Sequence, residues 1–219
     1  MTRPELTDIS FVLDRSGSMQ SIKQATIEAF NGFLTSQKSG AGEARLTLVQ
    51  FDDQYEINYR AVPIRQAVEL NDQSYQPRAS TALLDAMGRT IVATGERLKK
   101  LPESQRPGTV LFVTLTDGFE NASREYTLQK INELIRQQRD VYGWQFVFLG
   151  ANQDAIATAA QMGVAADQAI TFAASRSGTH GVMGALNGKL HKMREACAAG
   201  GLGAMLGFDS DDRNAAQGD

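Results

Sequence analysis

Two stretches of this 219-residue chain, 109–116 (Thr-Val-Leu-Phe-Val-Thr-Leu-Thr) and 144–150 (Trp-Gln-Phe-Val-Phe-Leu-Gly), are apolar with few polar breaks, and a segment of helical period lies between them. A strand with one wet face alternates, whereas a strand covered on both faces need not, so such runs point to a parallel sheet sandwiched between helices. Further strand candidates lie at 7–13, 44–51, 55–61 and 168–173. Between them Ile22, Ala25, Ala29, Phe30, Phe33 and Leu34 fall on one helix face, as do Leu83, Met87, Ile91 and Leu98, and again Leu128, Ile131, Leu134 and Ile135. A shorter helix at 156–162 and a last one carrying Val182, Leu186, Leu190 and Met193 complete the series. Only Asp52, Asp53 and Gln54 separate 44–51 from 55–61, a hairpin-length link. The expected fold is α/β: three layers, doubly wound around a mostly parallel six-stranded sheet with one antiparallel edge strand.

The chain is 42% hydrophobic and 21% charged, enough to build one sizeable core without disulfides, and its single cysteine, Cys197, reads as a small buried apolar residue. Residues 1–199 are expected to form the domain and 200–219, rich in Gly, Asp and Ala, a flexible tail. The segment 62–80 has little periodicity and reads as a long ordered loop. A net charge of −3 offers neither nucleic acid nor an anionic membrane a basic surface. No apolar leader opens the sequence and no run is long enough to span a bilayer, so the cytoplasm is the expected compartment.

Three segments place oxygen-bearing side chains at the ends of these elements. Asp14-Arg15-Ser16-Gly17-Ser18 follows the first strand, Ser80-Thr81-Ala82-Leu83-Leu84-Asp85 opens the second helix, and Thr114-Leu115-Thr116-Asp117-Gly118 closes a buried strand. Taken singly, Thr81 is a helix cap and Asp117 a turn residue. If the strands ending at Asp14 and Asp117 are neighbours whose connections run in opposite directions, their C-terminal ends bound a ligand crevice. Asp14, Ser16, Ser18, Thr81 and Asp117 then form one constellation of hard oxygen donors, suited to Mg²⁺ or Mn²⁺ ahead of Ca²⁺.

In these three segments the sequence resembles the von Willebrand factor type A (vWA) domain family, whose metal-ion-dependent adhesion site reads Asp-x-Ser-x-Ser, then Thr, then Asp. The resemblance covers about residues 7–195 and is to the free-standing bacterial members with a complete site. It implies a Rossmann-like vWA fold, with Asp14 and Asp117 acting partly through water and a partner protein's Asp or Glu completing the metal shell. It also implies a cytosolic adaptor in a stress-response, ATPase-chaperone or conflict-related system. The chain's own Asp209, Asp211 and Asp212 are the nearest candidate for a carboxylate offered to a neighbouring copy, against the plainer reading of an acidic tail that only solubilises.

No catalytic residue is assigned. A haloacid-dehalogenase-type phosphotransferase needs a second Asp where Ser16 stands, and no Walker segment offers a phosphate cradle. A serine nucleophile lacks a base, because His180 and His191 belong to the last helix. A Mg²⁺- or Mn²⁺-dependent hydrolase acting on phosphoesters is the second choice. Asp85 is expected to hold the Thr81 loop or to complement the helix dipole, Glu120 and Asn121 to line the crevice rim or form a solvated turn, and Asn152 and Asp154 to cap the next helix.

Overall fold

The computed structural model describes residues 2–151, 154–201, 203 and 207–218. Its strands are β1 (Arg3–Asp14), β2 (Glu43–Phe51), β3 (Tyr55–Pro63), β4 (Pro107–Thr116), β5 (Gln145–Ala151) and β6 (Ala169–Phe172). They form one sheet in the order β3-β2-β1-β4-β5-β6, parallel throughout except for the antiparallel β2–β3 pair. The helices are α1 (Lys23–Ser39), α2 (Leu83–Lys99), α3 (Leu128–Tyr142), α4 (Ala155–Met162), α5 (Arg176–Ala198) and α6 (Ser210–Gln217).

Successive β4 side chains serve opposite faces, which is why that run carries so few polar breaks. Leu111, Val113 and Leu115 join Phe30 and Phe33 of α1 and Val182 and Leu186 of α5 in one core. Val110 and Phe112 join Met87, Ile91, Ile131 and Ile135 of α2 and α3 in the other. Phe11 meets Phe30 and Phe33 edge-on at 5.4 and 5.5 Å, and full burial of one such side chain contributes about 1.5–3 kcal/mol.

The chain leaves β1 through α1 toward β2 on one side, and leaves β4 through α3 toward β5 on the other. The strand order therefore reverses between β1 and β4, and a crevice opens at their C-terminal ends. The segment 62–80 is an ordered loop, as its pattern indicates, pinned by the buried side chains of Ile64, Ala67, Leu70 and Tyr75.

The structure corrects the expectation for the C-terminus: residues 210–217 are helical and packed, not a free tail. Gly178 and Gly181 of α5 let α6 approach closely, since a Cβ on either would collide with backbone at Ala216 or Ala215. Ala173 N donates to Ala216 O at 2.9 Å, and Arg213 Nη1 donates to Ala169 O at 3.0 Å along β6. Asp209 caps the helix, and the largely buried Lys189 of α5 lies 2.7 Å from the carboxylates of both Asp209 and Asp212. Composition suggests a solvated acidic tail because the Lys189 ion pair that uses those acids is distant in sequence, although the Asp209–Asp212 capping box itself is local. Phe208 N bonds to Asp167 O just before β6, so these acids sit at the opposite end of the sheet from the crevice and are engaged within their own chain.

Candidate metal centre

The five expected site residues stand on three segments at the C-terminal ends of β1 and β4: the turn after β1, the loop before α2 and the turn after β4. Asp14 ends β1, and its buried carboxylate receives the Ser16 N–H at 2.6 Å and the Thr116 hydroxyl at 2.5 Å. Ser16 Oγ and Ser18 Oγ lie 3.1 Å apart, and Ser18 Oγ donates to Asp117 Oδ1 at 2.6 Å. Thr81 comes from the loop before α2. A Cβ placed on Gly118 would sit 3.0 Å from Thr81 Oγ1, 3.4 Å from Ser18 Oγ and 3.7 Å from Ser16 Oγ. Three hydroxyls from two separate loops thus converge on a space that a Cβ at position 118 would crowd.

Two of these hydroxyls occur where serine and threonine usually cap helices. Ser16 precedes the 3₁₀ turn Gly17–Ile22, and Thr81 stands one residue before the N-cap of α2, yet neither turn nor helix receives a side-chain cap from its own start. The orphan amides of α2 are met from the loop after β4 instead. Glu120 Oε2 accepts from Leu84 N at 2.9 Å, and Ser123 Oγ accepts from Asp85 N at 3.0 Å. Asn121 Oδ1 takes Thr81 N at 2.9 Å, while the amides of Asn121 and Ala122 bond back to Thr81 O. Glu120 and Asn121, which the sequence leaves open between crevice rim and solvated turn, are the struts that hold the Thr81 loop.

Asp85 does not hold the Thr81 loop. Its carboxylate accepts from the amides of Arg124, Glu125 and Tyr126, tying α2 to the loop after β4. Burial pushes its pKa up, but those three amides outweigh burial and leave it below the usual aspartate value. Asp154 caps α4 through Ala157 N, as expected, and Asn152 lies outside the described residues. His180 meets Glu28 and His191 meets Ser36, both on α1.

Residues invisible as site residues in the sequence complete the frame. Tyr75, fully buried, donates to Asp14 O at 2.6 Å. Arg78 N bonds to Arg15 O, and Gly17 N bonds to Ala79 O. Ala79 has φ +56°, a left-handed conformation that costs an alanine about 1–2 kcal/mol, next to the segment carrying Thr81. Buried Asp52 accepts from Nε of Arg15 at 3.1 Å and of Arg78 at 2.7 Å, while its backbone carbonyl takes Ala82 N. One carboxylate therefore fixes the first loop against the second. Asp52 carried no signal beyond its place in a hairpin turn.

The electrostatics single out Asp14 and Asp117. Arg15 and Arg78 are matched by Asp52 and Glu56, but no lysine, arginine or histidine among the described residues pairs with Asp14 or Asp117. Burial pushes the Asp14 pKa up to about 6, with the Asp117 charge adding to the rise, and burial likewise raises that of Asp117. Two carboxylates with neutral partners only, beside three clustered hydroxyls, form an oxygen-only set that fits a small hard dication. Among the described residues no cluster of three or more His, Cys, Asp or Glu side chains suits a metal, so a centre here is hydroxyl-rich.

Comparison with known proteins agrees with this architecture. Proximal thread matrix protein 1 from the mussel byssus, in a structure with a zinc-occupied MIDAS (metal-ion-dependent adhesion site) motif, superposes with a TM-score of 0.55 at 16% identity, covering 87% of this chain and 46% of that one. A von Willebrand factor type A protein from Catenulispora acidiphila gives 0.54 at 16% identity, covering 88% and 42%. The pilus adhesin SpaC from Lactobacillus rhamnosus GG gives 0.59 at 12%, covering 83% and 29%. The chain spans less than half the length of each, and likeness at this identity speaks to the fold alone. Among curated proteins none matches in sequence. Residues 8–183 match the von Willebrand factor type A domain, and with that match over most of its length the chain belongs to the vWA domain family.

Proposed function

We propose that this domain holds one hard divalent cation, Mg²⁺ or Mn²⁺, through Asp14, Ser16, Ser18, Thr81 and Asp117, and uses it to engage a protein partner. The observation that carries the reading is the convergence of the Thr81, Ser18 and Ser16 hydroxyls around Gly118, beside two carboxylates without counter-ions. The mussel protein's zinc-occupied motif supports a dication at this position of the fold. A bound ion would supply an electrophilic centre. Around it the chain offers neutral hydroxyls, and both Asp14 oxygens are already hydrogen-bonded, so the charge is left available to a carboxylate from outside. A partner's Asp or Glu is the ligand that fits. A cytosolic adaptor within a bacterial stress-response, ATPase-chaperone or conflict-related system is the setting we favour. Among the described residues no helix is long and apolar enough to cross a membrane.

We assign no enzymatic activity. Ser16 and Ser18 have no histidine beside them, since both histidines contact α1, and the carboxylate that Ser18 does meet, Asp117, is a proposed metal ligand; purified protein with Mg²⁺ or Mn²⁺ is expected to turn over no phosphoester. Phosphoesterase activity lost in Ser16→Ala would favour the hydrolase instead. The binding reading is tested by affinity capture with Mn²⁺ or with chelator, using native protein and Asp14→Ala. A partner retained only by native protein with Mn²⁺, and lost when its contact acids become Asn or Gln, is the expected result. A partner bound equally by Asp14→Ala would overturn it.

A further inference from the structure

The loop after β4 carries an aromatic ring that the metal-site reading does not use. Phe119 is 68% exposed, directly after the glycine that leaves room for the hydroxyl cluster. Its backbone is held on both sides. Gly118 N donates to Thr116 Oγ1 at 3.2 Å, and that hydroxyl's own hydrogen goes to Asp14 at 2.5 Å. Glu120 gathers the amides of Leu84, Ala122 and Ser123 and the Ser123 hydroxyl at 2.7–3.0 Å. A ring exposed on a loop this firmly tied is presented to solvent at little further entropic cost when a partner covers it.

The surroundings are asymmetric. Toward β2 and β3 the crevice is bordered by the charged group of Arg15, Asp52, Glu56 and Arg78. Toward β5 the exposed large apolar residues at the same end of the sheet are Phe119, Leu128 at the start of α3 and Ile156 at the start of α4. Consecutive Cα atoms are about 3.8 Å apart, so a carboxylate seated at the hydroxyl cluster brings its own chain neighbours within side-chain reach of the Phe119 ring.

We infer that Phe119 is a specificity-determining contact, and that the segment recognised here presents an Asp or Glu with a large apolar side chain beside it in sequence, the acid to the cation and the apolar group to the ring. This rests on the carboxylate-binding function proposed above. Aromatic side chains are enriched at interface cores, and a few side chains fully desolvated near the centre carry most of the binding energy.

Random peptides displayed on phage, bound to immobilised protein in Mn²⁺ and released by chelator, test it. Native protein is expected to enrich peptides with an acid flanked by Leu, Ile, Phe, Met or Trp. Phe119→Ser should titrate with Mn²⁺ as native does and still enrich the acid, but lose the apolar flank and bind native-selected peptides at least about tenfold more weakly. Val141→Ser, which removes an equally exposed apolar residue at the far end of α3, should leave the enriched pattern unchanged. Acids enriched without an apolar flank, or the same flank in the Phe119→Ser pool, overturn this inference and leave the carboxylate reading standing. Enrichment without any acid removes both.

Discussion

The helices of this domain begin in two ways. Away from the β1–β4 crevice, α3, α4, α5 and α6 open on side chains that accept a backbone N–H: Thr127, Asp154, Ser175 and Asp209. At the crevice Ser16 stands at the N-cap place and Thr81 one residue before it, and neither caps anything. A lost cap of this kind costs about 1 kcal/mol, and α2 recovers its amide partners only by borrowing Glu120 and Ser123 from the loop after β4. The same residue types therefore serve stability in one region and are held in reserve in the other. Asp14 is the extreme case, buried without a counter-ion, so the apo domain is destabilised where the metal reading requires charge.

The largest effect expected from this contrast is at Asp14. Because burial raises its folded-state pKa from 3.8 to about 6, its protonation favours the fold. That contribution is fully present below 3.8 and lost as pH rises through about 6. At neutral pH in chelator, Asp14→Asn, which keeps hydrogen-bonding partners for Ser16 N and Thr116 Oγ1, should therefore stabilise the domain by on the order of 3 kcal/mol. The gain should shrink as the pH falls toward 4, read by denaturant melts across pH. A variant that is less stable than native at neutral pH would break the comparison.

The struts come next. Asn121→Ala removes the acceptor for Thr81 N without touching a proposed ligand. Mn²⁺ affinity should fall by about tenfold to a hundredfold, the range for groups that orient metal ligands, in a calorimetric titration. Affinity equal to native would mean that Thr81 is placed without Asn121.

The smallest effects divide the two kinds of helix start. Thr127→Ala and Ser175→Ala should each cost about 1 kcal/mol in melts and leave Mn²⁺ binding as in native protein. Ser16→Ala should cost less stability than either in chelator and weaken Mn²⁺ binding.

The fold class, with its mostly parallel six-stranded sheet and one antiparallel edge, was legible because it depends on local pattern: apolar runs such as 109–116, helical spacing, and the hairpin-length link at Asp52–Gln54. The same pattern put the loops at Asp14, Thr81 and Asp117 at element ends, where the structure brings them together. The topological switch was only a condition in the sequence, met by the sheet order that sets β1 beside β4 with their crossovers running opposite ways. What escaped depends on contacts distant in sequence. Thr116, Tyr75 and Asp52 read as ordinary strand, loop and turn residues, and only the fold brings them against Asp14 and Arg15. Asp85, left open between the Thr81 loop and the helix dipole, stands in the first turn of α2 and meets amides of the loop after β4, some forty residues on. Residues 210–217 read as a tail because Lys189, Gly178 and Gly181, which receive α6, lie some distance earlier in a helix of their own.

The central claim is that the uncapped hydroxyls are kept for a cation, and titration of Mn²⁺ into native protein, Thr81→Ala and Gly118→Ala tests it most directly. The last variant places a methyl 3.0 Å from Thr81 Oγ1 and 3.4 Å from Ser18 Oγ. The account predicts one site per chain in native protein and weakened or lost binding in both variants. Binding of native strength in both would contradict it.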